Sequence, residues 1–95
     1  MTRSVLVTGS SRGIGRAIAL RAATDGFDVV VHCRSRLEEA EAVAREIAAL
    51  GRQSRVLQFD VADRASCAQV LADDVTAHCA YYGVVCNAGI HADAA

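Results

Sequence analysis

Apolar positions along the chain fall into two alternating patterns. Short continuous runs rich in β-branched residues, RSVLVT at 3–8, DVVVHC at 28–33, RVLQF at 55–59 and GVVCN at 83–87, are bounded by turn formers and read as buried strands. Between them, apolar residues recur at spacings of three and four. Leu37, Ala40, Val43, Ala44, Ile47 and Leu50 make one stripe of a helix whose other face carries Glu38, Glu39, Glu41, Arg45 and Glu46. Gly51 stops that helix, as Gly26 stops the one before it. A third helix starts with Asp63 as N-cap and is predicted to pack through Cys67, Val70, Leu71 and Val75.

Strand and helix alternating three times predict parallel strands joined by right-handed crossovers. The expected fold class is α/β, a Rossmann-like doubly wound parallel sheet in the order 3-2-1-4 that ends after its fourth strand, all within one domain over residues 1–95. Its crevice lies between strands 1 and 4, where the winding direction reverses. Ligands bind there, so residues 8–15, 32–35, 60–61 and 87–90 are expected to line the site.

Composition narrows the partners. With 53% hydrophobic residues and a formal net charge of -1, the chain fits one globular domain and not a nucleic-acid or membrane-surface binder driven by bulk charge. No run approaches the roughly 18 apolar residues of a membrane span, and MTRSVLVTGS holds too short an apolar run for a secretion signal. A cytoplasmic location is expected. Cys33, Cys67, Cys79 and Cys86 include no C-x-x-C pair, so no metal is expected; they read as buried free thiols. His32, His78 and His91 read as surface or partly buried histidines without a catalytic role.

Chemistry concentrates after the first strand. Gly9, Gly13 and Gly15 are spaced G-x-x-x-G-x-G, which lets the chain turn tightly and bring backbone N–H groups, with the positive end of the next helix, close to an anion. A diphosphate suits such a turn, with the Ser10 and Ser11 hydroxyls as further donors. A purely structural turn is the alternative. The spacing is neither G-x-G-x-x-G nor that of a P-loop.

TGSSRGIG at 8–15, FDV at 59–61 and NAG at 87–89 together resemble the short-chain dehydrogenase/reductase family, most closely its bacterial 3-oxoacyl-acyl-carrier-protein reductases. The resemblance runs the length of the chain and covers the front half of the family domain. It implies a carbonyl reductase moving hydride from a nicotinamide cofactor to a ketone. It also implies that Gly9, Ser10, Ser11, Arg12, Gly13, Ile14 and Gly15 hold the cofactor diphosphate. Asp60, beside Val61, would accept from the adenine amino group, and Asn87, Ala88 and Gly89 would lie along the ribose. Asp60 as a simple loop cap and Asn87 as a strand-end hydrogen-bonding residue are the alternatives.

Charge at the end of the second strand predicts NADP over NAD. A fold selecting NAD offers a carboxylate there for the ribose 2′-OH, but this chain reads HCRS, with Cys33 in the acid's place, followed by Arg34 and Ser35. Arg34 and Arg12 can bracket a 2′-phosphate. A solvated Arg34 is the alternative reading.

The family's serine and Tyr-x-x-x-Lys pair set the limit on activity. All ten basic residues are arginine, and Tyr81 and Tyr82 precede Val85 and Cys86 at the fourth position, so no catalytic residue is assigned and the two tyrosines are expected to cover the end of the third helix. The chain is expected to be inactive alone. A nucleotide-binding or interaction module without reductase activity is the other reading. Strand 4 is expected to expose an unpaired apolar edge that invites self-association or a partner chain.

Overall fold

A computed structural model describes residues 3–87. The elements run β1 (Ser4–Val7), α1 (Gly13–Thr24), β2 (Asp28–Cys33), α2 (Leu37–Ala49), β3 (Ser54–Gln58), α3 (Arg64–Ala77) and β4 (Gly83–Val85). All pairings are parallel and the sheet order is β3-β2-β1-β4, the expected doubly wound arrangement.

The strands are apolar on both faces because helices cross both sides. On one face Val5, Val7, Val29, Val31 and Cys33 meet Ala19 and Ala23 of α1 and Ala40, Val43 and Ile47 of α2. Each of the larger side chains buried there contributes roughly 1.5–3 kcal/mol. Leu6, Val30 and His32 point the other way and are also buried. Arg55 alternates with the core residue Val56, so it faces the α3 side, where its guanidinium grips Asp74 with two bonds of 2.7 and 2.6 Å. The Tyr81 hydroxyl donates to the same carboxylate at 2.6 Å.

Several expectations need correction. Asp74 is the one buried residue of α3; Cys67, Val70 and Leu71 are half-buried and Val75 is 37% exposed, so a polar clasp and not an apolar stripe holds this helix most firmly. The N-cap holds as expected, with the Asp63 carboxylate accepting the Ser66 N–H at 3.1 Å. Leu37 and Leu50 are exposed because they flank α2 at its two ends. Strand β3 begins one residue early and β4 is only three residues long. Of the thiols only Cys33 is buried; Cys79 and Cys86 follow the ends of α3 and β4 and are exposed. Tyr82 does not cover α3 but stacks on Phe27, 5.7 Å between ring centroids, with the Arg3 guanidinium 4.7 Å from its ring centroid.

Among the described residues β4 pairs only with β1, no helix is long and apolar enough to cross a membrane, and no cluster of metal-ligating side chains occurs.

Candidate functional site

Parallel strands bring their carboxyl ends to one edge, and a cleft of about 820 Å³ opens there. It is walled by the glycine turn, the β2 end with its HCRS segment, the loop after β3, and Asn87. That volume falls in the range of cofactor and small-ligand sites.

The three glycines serve different physical needs. Gly9 and Gly13 both adopt φ +64°, the left-handed conformation that disfavours other residues. A Cβ on Gly13 would meet no protein atom within 4 Å, so the chain there borders open space at the α1 N-terminus. Gly15 is different. A Cβ on it would collide with the Gly9 carbonyl and lie 2.7 Å from Asn87 Nδ2, which makes Gly15 the point of closest approach between α1 and the turn.

The turn is tied to the sheet on two sides. From β4, the Asn87 side chain donates to the Gly9 carbonyl at 3.2 Å, while its own N–H donates to Thr8 Oγ1 at 2.8 Å. From β2, the Ser10 N–H donates to the His32 carbonyl at 3.0 Å, and the Ser10 hydroxyl accepts the His32 N–H at 3.0 Å. That hydroxyl spends its own proton on the Val7 carbonyl at 2.7 Å and is fully buried. The structure therefore places Ser10 behind the turn, its hydroxyl proton on Val7, and not among the residues that line the cleft. Ser11, Arg12, Gly13 and Ile14 do line the cleft. Gly15 is buried beneath them.

On the opposite wall Cys33, Arg34 and Ser35 follow one another, with Arg36 extending the row. The Cys33 thiol is held neutral, its pKa raised by burial and by the field of Glu41. Arg34 Nε lies 3.4 Å from one oxygen of Asp60, with both side chains substantially exposed. The other Asp60 oxygen accepts the Ala62 N–H at 2.9 Å, the loop-capping bond weighed as an alternative from sequence. Asp60 thus borders the cleft with one oxygen engaged by Ala62 and the other beside Arg34. Val61 and Ala62 add apolar surface beside it. Among the described residues no ion pair holds Arg12. Ala88 and Gly89 lie outside the described residues.

His32 was undervalued from the sequence. It is 2% exposed, neither surface nor partly buried. Its Nδ1 accepts the Gly9 N–H at 2.8 Å and its Nε2 meets the Phe59 carbonyl at 2.8 Å, so the neutral Nε2–H tautomer satisfies both. Burial pulls its pKa below the ordinary 6.5, against the opposing effects of the Phe59 bond and the Asp60 charge. A histidine closing an otherwise apolar strand was the available signal. Arg36 and Ala62 were missed for lack of any local mark.

Residues 3–95 match the profile of the short chain dehydrogenase family. The 3-oxoacyl-acyl-carrier-protein reductase FabG of Aggregatibacter actinomycetemcomitans is 63% identical over 93 residues, which is 98% of this chain and 38% of that protein. The FabG of Staphylococcus aureus is 44% identical over the same coverage. Among solved structures, the acetoin dehydrogenase of Enterobacter cloacae superposes with a TM-score of 0.81 at 29% identity, over 87% of this chain and 34% of its own. The alcohol dehydrogenase of Thermococcus sibiricus, solved in complex with 5-hydroxy-NADP, gives 0.80 at 27% identity, over 88% and 36%. The chain spans 38% of the length of these two curated relatives. With the sheet order, the glycine turn and the profile in agreement, the chain belongs to the short-chain dehydrogenase family.

Proposed function

We propose that residues 1–95 form the NADP(H)-binding part of a cytoplasmic carbonyl reductase of the 3-oxoacyl-acyl-carrier-protein reductase type. The observation that carries the reading is the charge and shape of the cleft: an open glycine cradle with Arg12 at a helix N-terminus on one side, and Arg34, with no carboxylate at the end of β2, on the other. NADP fits that arrangement. Its diphosphate would lie on Gly9, Ser11, Arg12, Gly13 and Ile14, where backbone N–H groups and the α1 dipole favour negative charge. Its 2′-phosphate would sit beside Cys33, Arg34 and Ser35, within reach of Arg12. Asp60 and Val61 would border the adenine, and Asn87, Ala88 and Gly89 the ribose. When bound, the cofactor supplies the hydride.

This chain's own residues bind and orient. Arg34 already leans on Asp60, so a 2′-phosphate would draw the guanidinium away or share it, and the freed Asp60 oxygen would turn to the adenine. No residue here is assigned the proton transfer, since the sequence contains no lysine for a Tyr-x-x-x-Lys pair. The 95-residue chain alone is therefore expected not to oxidise NADPH with any ketone. A binding module without turnover rests on that same absence, and substrate-dependent NADPH oxidation by the purified chain would refute both this expectation and the module reading.

The cofactor choice is tested at two residues. Arg34→Ala should narrow the gap between NADPH and NADH affinity by roughly 1–2 kcal/mol, the loss of one exposed charge-assisted bond. Cys33→Asp should tilt preference towards NADH. An unchanged gap in both variants would sink the assignment of the 2′-phosphate to this wall.

A further inference from the structure

Glycines in the turn have no side chain to fix their shape, and beside the Ser10 hydroxyl one histidine from the neighbouring strand does much of that work. His32 is the penultimate residue of β2 and lines the cleft. Its ring joins two segments distant from it in sequence: the turn through the Gly9 N–H, and the β3 end through both the Phe59 carbonyl and the Phe59 ring, whose centroid lies 4.1 Å away. Its backbone holds Ser10 through two further bonds. The Gly9 bond is the critical one. Gly9 has φ +64°, and its carbonyl is the atom that Gly15 and Asn87 close upon, so the orientation of this one residue sets how α1 meets the turn.

We propose that His32 is the positioning residue of the cofactor cradle, its neutral ring accepting the Gly9 N–H and thereby holding the turn in the shape that receives a dinucleotide diphosphate. The inference rests on the NADP-binding reading for its functional consequence, though the lock itself is a property of the unliganded chain. Protonation reverses the contact. An imidazolium has N–H groups at both nitrogens, so Nδ1–H would oppose the Gly9 N–H across 2.8 Å. One of the two must then move away.

The charged surroundings of the ring are few. From the loop after β3, Asp60 favours the protonated ring. Arg34 beyond the β2 end and Arg12 in the turn share the cleft and favour the neutral ring. Cys33, next in the strand, is a neutral thiol. The contacts of the ring itself, Gly9 and Phe59, are uncharged, and burial keeps the neutral form dominant at neutral pH.

Two measurements on the 95-residue chain separate the lock from its consequence. Amide exchange without ligand reads the Gly9 protection factor in the parent, in His32→Asn, whose carbonyl oxygen can replace Nδ1 as acceptor, and in His32→Phe, which cannot accept. NADPH titration reads the effect on binding. The parent should protect Gly9 at pH 8 and lose that protection as the ring protonates at acid pH. His32→Asn should keep it at both, and His32→Phe at neither. NADPH affinity should follow the same order, with His32→Phe about tenfold weaker than the parent at pH 8, the weight of one buried hydrogen bond. It should fall with acidification more steeply in the parent than in His32→Asn, because the 2′-phosphate loses charge at about pH 6 in both but only the parent also loses the Gly9 bond. Equal Gly9 protection in parent and His32→Phe would overturn the proposal, as would an acid loss of affinity as steep in His32→Asn as in the parent. A parent that protects Gly9 but binds no NADPH at pH 8 would overturn the cofactor reading instead, with the exchange comparison still deciding the lock.

Discussion

Replacing Gly15 by alanine should damage the fold more than the same change at Gly13, although Gly13 has the less permissive backbone. At Gly13 the new methyl enters open space, and the penalty is the left-handed φ of +64°, about 1–2 kcal/mol for a residue with a Cβ. At Gly15 no unusual φ is involved. The methyl would instead strike the Gly9 carbonyl, which is backbone and cannot swing aside, and would crowd Asn87 Nδ2 at 2.7 Å. Overpacking of this kind costs roughly 1–3 kcal/mol, and displacement of Gly9 would also break the 3.2 Å bond from Asn87, adding about 1 kcal/mol. A total near 2–4 kcal/mol is a large part of the stability of a small domain. Urea unfolding followed by far-ultraviolet dichroism measures both variants against the parent. Binding should separate from stability: Gly13→Val should keep the dichroism of an α/β domain yet block NADPH, because its side chain fills the cradle. A Gly15→Ala chain within 1 kcal/mol of the parent, or more stable than Gly13→Ala, would refute the packing argument.

Two further outcomes are expected. Asp74→Ala removes the shared acceptor of Arg55 and Tyr81 and should lower stability by about 2–3 kcal/mol in thermal unfolding, less than for a fully buried pair because Arg55 remains partly exposed and can rehydrate. In the parent, Arg55 holds the Asp74 carboxyl below its ordinary 3.8, so the stability from this clasp is complete above that pH and is lost as pH falls through the lower folded value; Asp74→Ala should flatten that acid limb. Finally, among the described residues β4 pairs only with β1, and Val84 and Tyr82 are exposed beside it, so we propose that the 95-residue chain self-associates through this edge. Sedimentation showing a folded monomer at high concentration would contradict that.

What the sequence made legible was what depends on local period and on glycine. Sheet order, a helix opening after the glycine turn, the Asp63 cap and the gathering of Arg12, Arg34, Asp60 and Asn87 at one edge all follow from strand–helix alternation, local capping chemistry and the rule that parallel strands end together. What stayed hidden depends on bonds between distant polar atoms. His32 meets Gly9 and Phe59 across 23 and 27 positions, and Arg55 meets Asp74 across 19. No periodicity records such pairs. Ser10 misled for a related reason: its place in a glycine turn suggests a phosphate donor, but its proton is taken by Val7 three residues back. The α3 stripe failed because apolar spacing states which face can be buried, not how deeply.

The central claim is that the cleft prefers the dinucleotide carrying a 2′-phosphate. Calorimetric titration of the parent chain with NADPH and with NADH, at one ionic strength and at pH 8, where His32 is neutral, tests it most directly. With Arg12 and Arg34 available to the phosphate and no carboxylate ending β2, NADPH is expected to bind roughly tenfold more tightly or better, the equivalent of at least one net charge-assisted bond. Equal affinities, or tighter binding of NADH, would contradict the account.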